Sequence, residues 1–367
     1  MSGDLLTPLW RAGPTPSFSL AQWSLLISQA RQSRLLARLA VRLQDRGELA
    51  AVPEAPRRHL QGALAAAERQ RHQVSWELDR LRVALAGLEG PVVLLKGGAY
   101  AAAGLPPARG RLFGDLDFMV PRAQLPQVEA ALLAGGWAHE PLDPYDDRYY
   151  RRWMHEIPPF KHVWRHTWLD VHHTITPPTS RYAVDAGALF AAALPVPGLP
   201  WVSVLSPCDM VLHGATHLML DGELPHGLRD LLDLDDLLRH FSAAHPGFWP
   251  ALAGRAAELG LGPLLMRALR QLARITGTAV PPADAPAFAR LGQPGALAEA
   301  LLSRVVRPVH PSCDDSLTRA ARQHWYLRAH LLRMPAAQLA GHLARKAWMR
   351  ARTRLDRPAE TAPQAPE

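Results

Sequence analysis

Asp115 and Asp117, separated by one leucine, open the apolar run Phe118-Met119-Val120. On a strand, residues two apart project from one face, so both carboxylates point together while Leu116, Phe118 and Val120 turn to the core. Like charges that close repel unless a cation lies between them. Hard divalent ions such as Mg²⁺ take oxygen ligands of this kind and keep positions for substrate phosphates. A third carboxylate, Asp170, sits in Trp168-Leu169-Asp170-Val171-His172. Strand alternation puts Asp170 and His172 on the face away from Leu169 and Val171, and a neighbouring strand would bring Asp170 beside the first two aspartates. Upstream, Lys96-Gly97-Gly98 follows Val92-Val93-Leu94-Leu95 and leads into an alanine-rich stretch. Amides at a strand-to-helix junction form an anion site suited to a triphosphate, and Lys96 adds a point charge. An ordinary tight turn also accounts for the two glycines. The spacing is neither a P-loop nor a dinucleotide fingerprint.

Helix-like spacing of apolar residues covers 18–47 and 54–88, and Gly90-Pro91 ends the second stretch. Residues 92–95 read as a buried strand, 96–103 as a helix, 104–111 as a loop and 113–120 as a strand. Pro121 to Gly135 reads as a helix with proline at its start and glycine at its end. Residues 137–157 read as irregular and 160–176 as one or two strands. Beyond Pro207 the chain reads as helical, over 208–221, 226–242 and further Ala/Leu-rich helices to residue 356. The expected class is α+β: an N-terminal helical region (1–89), a small mixed β-sheet core (90–205), a helical C-terminal region (206–357) and a frayed Pro/Ala/Glu-rich tail (358–367).

At 367 residues, 48% hydrophobic and 20% charged, the chain can bury a sizeable core. No apolar run reaches the roughly 18–20 residues that span a bilayer. The opening Met1-Ser-Gly-Asp-Leu-Leu-Thr-Pro lacks the basic-then-apolar order of a secretory signal. Two cysteines, Cys208 and Cys313, are too few for a disulfide framework or a Cys-based zinc site. The expectation is a cytoplasmic protein. Its net charge of +8 belongs to one segment, since residues 318–357 hold ten Lys+Arg and a single acid, Asp356. That segment is either a basic amphipathic helix for an anionic membrane or a nucleic acid, or a terminal helix packed on the body with its arginines solvated.

His213 and His217, four apart, share a helix face. Without the glutamate of His-Glu-x-x-His or a further spaced ligand, they read as part of a helix packed against the sheet, with one histidine near a substrate, rather than as a zinc site. Asp230, Asp233, Asp235 and Asp236 read as a solvated, partly arginine-paired helix face, with approach of Asp233 to the site as the alternative. Lys161 reads as a surface residue, with reach into the substrate pocket as the alternative. Arg111 is either a polyphosphate contact or a solvated loop arginine.

In chain order, Leu94-Leu95-Lys96-Gly97-Gly98, Arg111, Asp115-Leu116-Asp117-Phe118-Met119-Val120 and Leu169-Asp170-Val171-His172 resemble the uncharacterised bacterial nucleotidyltransferase family of the polymerase-β-type superfamily. The resemblance spans residues 90–240. It implies a small mixed sheet with two Mg²⁺ ions, or Mn²⁺ in their place, on Asp115, Asp117 and Asp170. It implies Lys96, Gly97, Gly98 and Arg111 around the polyphosphate of an NTP, ATP before the others. It further implies attack of an acceptor hydroxyl on the α-phosphorus with release of pyrophosphate, Asp170 orienting or deprotonating the acceptor. One departure is Gly98, where the wider superfamily usually has a serine whose hydroxyl meets a phosphate. The Lys-Gly-Gly turn also resembles nucleotidyltransferase toxins of abortive-infection systems, which leaves the acceptor open among small molecule, protein and RNA. Two other readings stand beside an active enzyme: an inactive nucleotide-binding relative, and a helical adaptor whose basic C-terminus binds membrane or nucleic acid. The oligomeric state is not legible.

Overall fold

The computed structural model describes residues 3–341 apart from 294, together with 345 and 348. It begins with α1 (Leu20–Gln32), α2 (Leu36–Asp45) and α3 (Glu54–Ala84). Ser19 caps α1 by accepting the Gln22 amide while the Gln22 side chain accepts the Ser19 N–H, so two orphan donors are satisfied together. The apolar periodicity of 18–47 thus divides into two helices at Arg34, whose φ of 54° lies in the left-handed region. α3 buries Leu60, Ala67, Val74, Leu78 and Leu81 along one stripe.

The next elements are β1 (Val93–Leu94), α4 (Lys96–Ala102), β2 (Asp115–Met119), α5 (Leu125–Ala134), β3 (Trp137–His139) and α6 (Pro144–Trp153). After them come β4 (Phe160–His162), β5 (Trp168–His172), α7 (Ala186–Ala191), β6 (Leu194–Val196) and β7 (Leu199–Val204). The strands form one mixed sheet ordered β3-β4-β5-β2-β1-β7-β6, the α+β arrangement expected. β1 lies antiparallel to β2 and parallel to β7, while β2 and β5 run parallel. Leu94, Phe118 and Val171 are completely buried at its centre.

One segment differs from expectation. Residues 137–157 are not irregular, for they hold β3 and α6. Asp143 caps α6 by accepting the amides of Tyr145 and Asp146, with Pro144 at the first position. α6 fully buries none of its residues, and the face it turns inward, Tyr145, Tyr149 and Trp153, is aromatic rather than aliphatic. The β6–β7 hairpin turns at Pro197-Gly198, where Gly198 has φ 78°.

The remaining helices are α8 (Pro207–Leu220), α9 (Gly227–Ala244), α10 (Phe248–Glu258), α11 (Gly262–Ile275), α12 (Ala285–Ala289), α13 (Ala296–Val305) and α14 (Thr318–Arg333). α14 docks against the end of α8: the buried Trp325 donates its indole N–H to the Asp221 carbonyl at 3.0 Å. Arg328 lies over the Trp325 ring and donates to the Met219 carbonyl at 3.1 Å. This first part of the basic segment is therefore packed on the body. Most of 342–357, and the tail 358–367, lie outside the described residues. No helix among the described residues is long and apolar enough to cross a membrane.

Candidate active site

The parallel pairing of β2 with β5 sets Asp115 opposite Trp168 and Asp117 opposite Asp170. In a parallel pair, residues in register project from the same face, so the three carboxylates meet across two strands. One oxygen from each of Asp115, Asp117 and Asp170 lies within 4.8 Å of the others. Asp117 is buried, Asp170 half-buried and Asp115 the most exposed. Asp117 raises the Asp115 carboxyl above the usual range, helped by burial. Burial, then Asp117 and Glu156, push Asp170 well above it. An all-oxygen donor set whose members raise one another in this way is what a hard divalent cation relieves, and the residues present fit Mg²⁺ or Mn²⁺.

Asp117 itself is held well below the carboxylate range. Burial opposes this, but the Lys96 ammonium and a hydrogen bond from His172 prevail. Lys96 Nζ donates to Asp117 Oδ1 at 2.6 Å and His172 Nε2 donates to the same oxygen at 3.1 Å. Lys96 is reached by an unusual backbone. The left-handed residue of the Lys96-Gly97-Gly98 turn is Lys96, with φ 44°, rather than either glycine.

Gly97 and Gly98 already lie in α4, and close packing explains their lack of side chains. A Cβ on Gly97 would come within 3.0 Å of both Arg111 Nε and Phe113 Cδ1, and one on Gly98 within 3.2 Å of Leu116 Cδ2. Arg111 is a buried side chain rather than a solvated loop arginine. It ion-pairs with Asp233 and lies against Tyr100, and burial together with Arg229 lowers it to about 10. Asp233 in turn accepts from Arg38 Nη1 at 2.5 Å, and Arg38 also binds Asp236. The acids of α9 are thus arginine-paired as expected, yet Asp233 and Asp235 are buried rather than solvated. Lys161 lies at the surface beside Glu140, its ammonium 4.7 Å from the Trp168 ring centroid.

Five further groups gather here. Glu156 Oε2 is 3.5 Å from His172 Nε2. His155 stacks at 5.2 Å from the His172 ring, and burial and His172 hold it well below an ordinary imidazole. Burial, Glu156 and Asp170 push the Tyr150 phenol up to about 12. His213 and His217, from α8, are both depressed by burial and by the Lys96 charge, His217 to about 4. His155, Glu156 and Tyr150 carry no readable motif, and only their proximity to Asp170 in sequence could have drawn notice.

A family model described as an uncharacterised nucleotidyltransferase matches residues 19–277, and the chain belongs to that family. No curated protein and no solved structure matches the chain. Nucleotidyl transfer between a nucleotide and an acceptor is the general chemistry of such a family.

Proposed function

We propose that the chain transfers a nucleoside monophosphate from an NTP, ATP first among them, to an acceptor hydroxyl and releases pyrophosphate. The observation that carries this reading is the meeting of Asp115, Asp117 and Asp170 within 4.8 Å beside Lys96, in a chain of the nucleotidyltransferase family. Asp115, Asp117 and Asp170 would hold two Mg²⁺ ions, which when bound lower the pKa of the acceptor hydroxyl and neutralise phosphate charge. Asp170 orients or deprotonates the acceptor hydroxyl, from its place opposite Asp117 on the neighbouring strand. Lys96 and the first-turn amides of Gly97 and Gly98 hold the polyphosphate, because the first N–H groups of a helix have no partner within it. Arg111 acts from behind the turn, its charge already felt at Asp115. His172 keeps Asp117 ionised and oriented.

The test is incubation with each α-labelled NTP, Mg²⁺ and a lysate as acceptor source, comparing wild type with Asp115→Asn/Asp117→Asn. Label transfer by the wild type alone is expected, and equal transfer by the double variant would remove the aspartates from the chemistry.

A further inference from the structure

Beside the three aspartates lies a second donor set of different composition. His155, Glu156 and His172 each bring one ligand atom to within 4.8 Å of the others. Two imidazole nitrogens and one carboxylate oxygen are the ligands that borderline divalent cations of the zinc class prefer, whereas Mg²⁺ favours oxygen alone.

The geometry is built by backbone rather than by chance meeting of long side chains. Ile157 N–H donates to the Val171 carbonyl at 3.0 Å and His173 N–H to the His155 carbonyl at 2.9 Å. An antiparallel bridge joins Glu156 to His172, so residues 155–157 are clamped along the end of β5. His172 is fully buried, while the His155 and Glu156 side chains keep 18% and 19% of their surface, which leaves a path for an ion. The Nδ1 atoms of both imidazoles are buried without a hydrogen-bond partner among the described residues. The nitrogens that face Glu156 Oε2 are the Nε2 atoms, at 3.9 Å from His155 and 3.5 Å from His172.

We propose that His155, Glu156 and His172 form a second metal site, for a zinc-class divalent cation, distinct from the Mg²⁺ site assigned to the aspartates. Three protein ligands are the number that leaves a coordination position for water or substrate. His172 links the two sites, because its Nε2, 3.5 Å from Glu156 Oε2, gives up the 3.1 Å hydrogen bond to Asp117 Oδ1 when it ligates the ion.

The test uses untagged full-length protein, stripped with chelator and titrated with Co²⁺ in excess Mg²⁺, which occupies the aspartates. One equivalent of Co²⁺ with a visible d–d absorption band, displaced by Zn²⁺, is expected. His155→Gln and Glu156→Gln should each weaken Co²⁺ binding at least about ten-fold, the scale known for disturbed metal sites, while Asp115→Asn retains it. Absence of the band in wild type, its survival in both variants, or its loss in Asp115→Asn would overturn the proposal. Circular dichroism establishes folding, and Glu156→Gln, nearly isosteric, decides the matter should His155→Gln unfold. No nucleotidyl transfer is read, so this proposal and that of the preceding subsection fail separately.

Discussion

Lys96→Met keeps most of the side-chain volume and removes the charge from Asp117. Asp117 is buried and its Oδ1 has two donors, Lys96 at 2.6 Å and His172 at 3.1 Å, so one imidazole would remain to hold it. Breaking a buried ion pair from one side costs about 3–5 kcal/mol. The Lys96 side chain keeps 20% of its surface, which places the loss at the lower end, about 3 kcal/mol. Unfolding entropy of about 2.1 cal/mol/K per residue over 367 residues gives about 0.8 kcal/mol/K, hence a fall in melting temperature of about 4 °C. The assay is thermal unfolding in chelator and in millimolar Mg²⁺. An ion at the aspartates supplies compensation that methionine lacks, so Mg²⁺ should raise the melting temperature of the variant more than that of wild type. Lys96→Gly makes the same electrostatic change but frees residue 96 from its left-handed strain, and should recover about 1 kcal/mol relative to the methionine. Asp117, depressed on folding, supports the fold above its unfolded pKa of about 3.9 and loses that support as the pH falls below it. The acid limb of the stability profile should therefore be shallower in Lys96→Met. A variant melting within about 1 °C of wild type in chelator, or an equal Mg²⁺ shift, would refute the reasoning.

Asp170 has the opposite sign. An acid raised on folding loses stability as the pH climbs from its unfolded value of about 3.9 to the raised folded value, and above that the whole cost remains. Asp170→Asn should melt higher than wild type at pH 7 in chelator and show no gain near pH 3.5, while losing transfer; unchanged melting at pH 7 would contradict this. Asp233→Asn leaves the Arg38 and Arg111 guanidiniums without their shared carboxylate and should cost about 3–5 kcal/mol in urea unfolding. Asp236→Asn, at the end of the network that is 33% exposed, should cost clearly less.

The core of the candidate site was legible because strand alternation is a rigid rule. Asp115 and Asp117 are two apart on a strand, and Asp170 needed only a neighbouring strand in register, which β5 provides. The Lys-Gly-Gly turn was legible as a junction but not in detail. The left-handed residue is the one with the longest side chain, because that bend delivers the ammonium to Asp117. α6 went unread since its one face at helical spacing, Tyr145, Tyr149 and Trp153, is aromatic and only half-buried among charged residues. The buried state of Asp233 was hidden for a related reason: its partners, Arg38 and Arg111, lie 195 and 122 positions away, and charge pattern within one helix cannot report them. His155 and Glu156 owe their places to backbone bonds with β5, which no local pattern encodes.

Asp233 ties α2, the loop before β2 and α9 together through Arg38 and Arg111. The aspartate-bearing strands are consequently not a transplantable cassette. A fragment trimmed to residues 90–205 would carry Arg111 inward with nothing to balance it, directly behind Gly97. Chimeras that exchange the helices on either flank must keep the residues equivalent to Arg38 and Asp233 as a matched set, or the lysine turn loses its backing.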